Sequence, residues 1–232
     1  MNKDERDLRD TVDPVRLASI FFVGAPPRSG NTYLRYALGD AYTKSYRDAG
    51  EFFTHDHSSA YALIHLSEEP KTFPIFVSPI RDPYDTLKSK LVRTYQEWGT
   101  EPKVVEYIPS IDDLCFYWEV LLVDPSRFCL VDFNELVSNK DSVLDKIDKK
   151  YPEVRQYRGD TLATNEELLE FLRLEDMAEY KDDNKLFLSS GHIPRESSEY
   201  SEMAEKLLDT PAYARRLSYL YELYSELLKL TI

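Results

Sequence analysis

Ser19-Ile20-Phe21-Phe22-Val23-Gly24-Ala25-Pro26-Pro27-Arg28-Ser29-Gly30-Asn31-Thr32 is the stretch that decides the fold. An unbroken apolar run closes on glycine and a proline-rich turn follows. From Asn31 to about Tyr46 apolar residues then recur at helical spacing, with Leu34 and Leu38 on one face. A continuous apolar run of this length is how a strand buried on both faces of a parallel sheet reads. A turn between such a strand and a helix N-terminus presents several backbone amides at the positive end of the helix dipole. Arg28 and the hydroxyls of Ser29 and Thr32 add donors, and Gly30 and Asn31 complete the turn. The predicted unit is a cradle for a dianionic or diphosphate-like group.

Working outward, Phe73-Pro74-Ile75-Phe76-Val77-Ser78 predicts a second buried strand, followed by Ile80-Arg81-Asp82-Pro83. Asp82 is a good N-cap and Pro83 a good first helical residue, so a helix is expected from there toward Trp98. Glu101 to Pro109 reads as a loop, and Ser110-Ile111-Asp112-Asp113 as a capping box that opens a helix to about Val123. Arg127-Phe128-Cys129-Leu130-Val131 predicts a third strand. Further helices are expected over 139–150, stopping before Pro152, and from the capping box Thr164-Asn165-Glu166-Glu167 to about Met177. Residues 181–198 lack periodicity and read as a loop. Thr210-Pro211 opens the last helix, whose Tyr213, Leu217, Leu220, Tyr224, Leu227 and Leu228 form a core-facing stripe.

Strands followed by helices through the first 140 residues argue for an α/β fold with a central parallel sheet and right-handed crossovers. The expectation is a three-layer fold of the P-loop type, with additional C-terminal helices packed around the sheet. The length suits one domain: a polar arm over 1–17, an α/β core over 19–140 and a mainly helical remainder over 141–232.

Composition narrows the chemistry. There are 42 acidic against 29 basic residues, for a net charge of −13. Such a chain repels nucleic-acid backbones, so nucleic acid is not an expected partner, and an anionic ligand needs a locally positive site. Cys115 and Cys129 lie in apolar runs without metal-ligand spacing and read as buried free thiols, which fits a reducing, cytoplasmic setting. The charged start, MNKDERDLRDTVD, does not read as a signal peptide, and no window has the roughly 18 apolar residues that span a membrane.

The phosphate cradle departs from the common nucleotidase loop GxxxxGK[ST]. Asn31 stands where the lysine belongs and Ala25 where the first glycine belongs, and the positive charge has moved to Arg28. A kinase also needs carboxylates to hold magnesium at strand ends, and Asp132 is the nearest case. Gly24 to Thr32 instead resembles the 5'-phosphosulfate loop of sulfotransferases that use 3'-phosphoadenosine-5'-phosphosulfate (PAPS), usually written PRSGTT or PKSGTT, with Asn31 in place of a threonine. The resemblance implies that Arg28 neutralises the transferring sulfuryl group. It also implies that Ser29, Gly30, Asn31 and Thr32 bind the 5' end through hydroxyls and amides.

The family's second motif, an arginine at a strand end and a serine eight residues on, resembles Arg81 and Ser89 within Ser78-Pro-Ile-Arg-Asp-Pro-Tyr-Asp-Thr-Leu-Lys-Ser89. It implies a site for the donor's 3'-phosphate. A forked guanidinium beside a helix N-terminus suits a terminal phosphate. Phe128 to Leu136 resembles the family's strand before a YEDL-like turn. Leu186 to Arg195 stands where the family has an Arg-Lys-Gly clamp. Ser189 and Ser190 occupy the clamp's basic positions, and Arg195 is the cation offered there.

Sulfuryl transfer needs a base for the acceptor proton, and histidine or glutamate usually serves. Thr54-His55 resembles the family's Lys-Thr-His, with Phe53 in place of the lysine, which makes His55 the first candidate. His57, two residues on, is the second, and Glu51 the candidate where glutamate serves. His55-x-His57 has no third ligand at a telling spacing, so no metal is expected. His65 and His192 receive no role. The implied cofactor pair is PAPS and its product 3',5'-diphosphoadenosine, with a small-molecule or glycan hydroxyl or amine as acceptor. Two other readings stay open: a P-loop small-molecule kinase, and a catalytically degenerate nucleotide-binding module.

Overall fold

The structure, a computed structural model, describes residues 20–42, 55–56, 59–70, 73–98, 104–159, 162–179 and 198–232. Among these residues four strands form one parallel sheet: β1 (Phe21–Gly24), β2 (His55–Asp56), β3 (Ile75–Ile80) and β4 (Phe128–Asp132), in the order β2-β1-β3-β4. Helix α1 (Asn31–Tyr42) follows β1, α2 (Ser59–Ser67) follows β2, and α3 (Pro83–Trp98) and α4 (Val104–Val123) lie between β3 and β4. After β4 come α5 (Phe133–Ser138), α6 (Lys140–Lys150), α7 (Asn165–Glu179), α8 (Ser198–Leu208) and α9 (Pro211–Leu228).

The period of two along each strand sorts side chains between two cores. Phe76, Ile80, Phe128 and Leu130 point to one face, where they meet Leu91, Tyr95, Trp118 and Leu121 of α3 and α4 and the apolar sides of α8 and α9. Phe21, Val23, Ile75, Val77, Cys129 and Val131 point to the other, against α1, α5, α6 and α7. This is the expected three-layer α/β arrangement. Each fully buried Phe or Leu contributes about 1.5–3 kcal/mol of hydrophobic stabilisation, so covering both faces is what holds the thin sheet together. The last helix turns Tyr213, Leu217, Leu220, Leu223 and Leu227 inward, with Tyr224 and Leu228 at the margin of the same core. Cys129 is buried and Cys115 partly so, and both are free thiols. No described helix is long and apolar enough to cross a membrane.

Local signals set most element boundaries. Asp82 caps α3, its Oδ1 accepting from the Asp85 amide at 3.0 Å. Thr164 and Glu167 make a reciprocal capping box, with Thr164 N to Glu167 Oε2 at 2.8 Å and Glu167 N to Thr164 Oγ1 at 3.2 Å. Strand β3 starts at Ile75, two residues later than its apolar run, because Pro74 has no amide to donate; Ile75 N donates to Ile20 O at 2.6 Å. One expectation is overturned. The stretch read as a loop, Glu101 to Pro109, is helical from Val104, and the Ser110–Asp113 capping box lies inside α4. Pro109 removes one helical hydrogen bond near the start, while the downstream stripe of Ile111, Leu114, Trp118 and Leu121 is buried and anchors the helix regardless. The loop expected over 181–198 lies outside the described residues up to 197, and Ser198 opens α8.

Candidate functional site: the crevice between β1 and β3

In the order β2-β1-β3-β4 the chain leaves β1 for one neighbour and returns to β3 on the other side. The connections diverge at the carboxyl ends of β1 and β3, and ligands of open α/β sheets bind in that crevice. Both motifs singled out in the sequence lie there. Ala25–Gly30 leaves β1, and Arg81 follows β3 directly.

The first loop is a tight turn braced from within. Ser29 N donates to Pro26 O at 3.3 Å and the Asn31 side-chain amide to Ala25 O at 2.6 Å. Asn31 therefore supports the loop from beneath. Leu34 N donates to Gly30 O at 3.0 Å, which makes Gly30 the N-cap of α1. A glycine cap has no side chain to satisfy the first helical amides. Arg28 and Gly30 have φ of 71° and 102°. The left-handed region costs a non-glycine residue about 1 kcal/mol or more, so Arg28 is held there by its surroundings. At Gly30 a Cβ would stand 2.3 Å from the Phe133 ring, so only glycine fits.

The two motifs meet. Arg28 Nε donates to Ser89 Oγ at 3.0 Å, and Arg81 Nη1 donates to the Arg28 carbonyl at 2.9 Å. The Arg81 guanidinium lies 5.0 Å from the centre of the Phe133 ring, a cation–π shelf that fixes its plane. Burial lowers the Arg81 pKa, opposed by Asp85 and Asp82, yet a guanidinium stays charged at any physiological pH. Ser29 is 2% exposed and its hydroxyl has no partner among the described residues, and the same holds for Thr86, one turn before Ser89. An unpaired buried hydroxyl costs about 1–3 kcal/mol, and these two, one adjoining Arg28 in the loop and one between Arg81 and Ser89 in the chain, suit a site built for an anion's oxygens.

Other candidates are placed unevenly. The backbone of His55 lies in β2, in register with Val23, and Asp56 pairs with Gly24. His55 is thus one strand away from the loop, at the same end of the sheet. His57, Glu51 and Arg195 lie outside the described residues. His65 is structural: its Nε2 lies 2.9 Å from the Arg127 carbonyl, and its ring packs on Phe76 and Phe128. Asp132, the nearest thing to a magnesium carboxylate, caps α5 by accepting from Asn134 N at 2.8 Å. No cluster of three or more His, Cys, Asp or Glu among the described residues could hold a metal.

Three residues of the crevice escaped sequence reasoning: Thr86, Phe133 and Tyr117, whose hydroxyl donates to Gly24 O at 2.6 Å. Thr86 sits inside the Arg81–Ser89 stretch, where a hydroxyl one turn before the serine was the available signal. Phe133 follows β4, in a stretch that bore only on the fold. Tyr117 lies on α4, far from either motif, and nothing in its local pattern separates it from core.

No protein-family model and no curated protein matches the chain. Among solved structures, the crystal structure of mouse sulfotransferase SULT7A1 complexed with PAP is similar at 12% identity and a TM-score of 0.39, covering 87% of this chain and 89% of that one. At that level the likeness assigns neither fold nor activity, and the reading of the crevice rests on its own geometry.

Proposed function

We propose that the protein is a cytoplasmic PAPS-dependent sulfotransferase acting on a hydroxyl or amine of a small-molecule or glycan acceptor. The observation that carries this reading is the convergence of the two basic motifs at the β1/β3 crevice, with Arg28 3.0 Å from Ser89 and Arg81 2.9 Å from the Arg28 carbonyl. The donor set fits a ligand with anionic groups at two points. Arg28, the buried Ser29 hydroxyl and the backbone at Gly30, Asn31 and Thr32 would hold the 5' end. Arg81 and Ser89 would hold the 3'-phosphate, and Arg195 is a further candidate there. Bound in this crevice, PAPS would supply the sulfuryl group.

Arg28 offers a fixed cation where charge builds on the transferring and leaving oxygens, and preorganised donors of this kind are a large source of rate enhancement. His55 is the proposed base for the acceptor proton, with His57 second. The resemblance of Gly24–Thr32 and Arg81–Ser89 to the sulfotransferase motifs supports the same assignment. The lack of a lysine at Asn31 and the capping role of Asp132 weigh against a kinase. Incubation with sulfur-35-labelled PAPS and a panel of phenols, alcohols, amines and oligosaccharides tests the proposal. Label transfer to at least one acceptor, lost in Arg28→Ala, is the expected result. Nucleotide binding with no transfer across the panel would favour the degenerate binding module instead.

A further inference from the structure

The β1–β3 ladder stops one rung short of the site. Its last paired positions are Val23 and Val77. Ile75 N donates to Ile20 O, and with a period of two the amide of residue 77 turns to Phe22 O and that of residue 79 to Gly24 O. Residue 79 is proline and has no amide. Pro79 still pairs with Val131 on the β4 side, so the deficit falls only where β1 and β3 open into the crevice. The missing donor comes from elsewhere in the fold. The Tyr117 hydroxyl, carried in by α4, donates to Gly24 O at 2.6 Å and lies 3.0 Å from Ser78 Oγ. A phenol has one proton, and here it goes to the carbonyl, so Ser78 donates to the phenol oxygen. Tyr117 and Ser78 are 1% and 0% exposed, and burial pushes the Tyr117 pKa well up, so the phenol stays a neutral donor.

We infer that Tyr117 is a positioning residue for the proposed donor site: a side-chain rung that replaces the one deleted by Pro79 and sets the distance between the two anion-binding segments. Gly24 immediately precedes the Arg28 loop, and Ser78 stands three residues before Arg81. The bridge joins the two strand ends where the backbone ladder no longer does. This inference rests on the donor reading above. A ligand spanning both segments needs their spacing, whereas a ligand held by the first loop alone does not.

The test compares the affinity of 3',5'-diphosphoadenosine with that of adenosine 5'-monophosphate, by calorimetry on the full chain. Removing the hydroxyl in Tyr117→Phe is expected to cut the bisphosphate preference about 10-fold, the effect of a missing buried hydrogen bond. Ser78→Ala, which leaves the Tyr117–Gly24 bond in place, is expected to cut it about 3-fold. Ile147→Ala, buried in the opposite layer, controls for reduced stability and should leave the ratio unchanged. A wild-type preference that survives in both Tyr117→Phe and Ser78→Ala overturns the positioning role and leaves the donor reading standing. If Tyr117→Phe does not fold, an unchanged ratio in Ser78→Ala overturns it alone. A wild type with no preference overturns the donor reading and this inference together.

Discussion

At the amino end of the sheet, His65 packs on Phe76 and Phe128 with ring centres 5.3 and 5.4 Å away, and its ring nitrogen meets the Arg127 carbonyl. Arg127 in turn donates to the carbonyls of His65 and Glu68 at 2.5 and 3.0 Å. At the carboxyl end, Arg28 and Arg81 lie side by side, Arg28 is in a left-handed conformation, and the hydroxyls of Ser29 and Thr86 are buried without partners among the described residues. Both ends use an arginine to tie loops together. The amino end closes its polar groups on one another, as a structural joint should. The carboxyl end carries strain and unsatisfied donors, which is where a fold keeps its capacity to bind.

That contrast can be broken by substitution. The largest expected effect is at Arg81. Arg81→Ala should weaken 3',5'-diphosphoadenosine binding about 100-fold, the size of a charge-assisted hydrogen bond to a phosphate, and lower the thermal midpoint by a few degrees, because the Arg28 carbonyl loses its brace. Calorimetry beside a thermal melt checks both. Gly30→Ala should destabilise the fold by about 2 kcal/mol or more in urea denaturation, since it joins a positive φ to a clash with Phe133. A variant as stable as the wild type would mean that the loop is not pinned between α1 and that ring.

Ser29→Ala sharpens the comparison because its two readouts move in opposite directions. Binding should fall about 10-fold, while stability holds or rises by up to about 1 kcal/mol as an unpaired buried hydroxyl is removed. A variant less stable than the wild type would show that the hydroxyl is satisfied in solution. The smallest effect on binding is expected at the other end. His65→Ala should cost about 1–2 kcal/mol through poorer packing and an orphaned carbonyl and leave nucleotide affinity within about 2-fold of the wild type. A larger change in affinity would erase the functional difference between the two ends.

What the sequence showed and hid follows from how local each cause is. The strands around Phe21, Phe76 and Phe128 were readable because parallel strands buried on both faces need unbroken apolar runs. The Asp82 cap and the Thr164–Glu167 box were readable because capping is settled within four residues. The start of α4 was not, because Pro109 is a local stop signal overridden by the packing of Ile111, Leu114, Trp118 and Leu121. In the site, Arg28, Arg81 and Ser89 could be named from two short motifs. That Arg81 would brace the Arg28 carbonyl across 53 positions of sequence could not. Phe133 and Tyr117 stayed hidden for the same reason. Their roles exist only once α5 and α4 dock on the sheet, where Phe133 fills the space a side chain at position 30 would take and Tyr117 replaces the donor that Pro79 lacks.

The central claim is that the β1/β3 crevice binds a nucleotide through anions at two separate points. Calorimetric titration of the wild-type chain with 3',5'-diphosphoadenosine and with ADP tests it most directly. The account predicts that the bisphosphate binds about 100-fold tighter, as expected of a second, charge-assisted phosphate site. Equal affinities, or a preference for ADP, would contradict it.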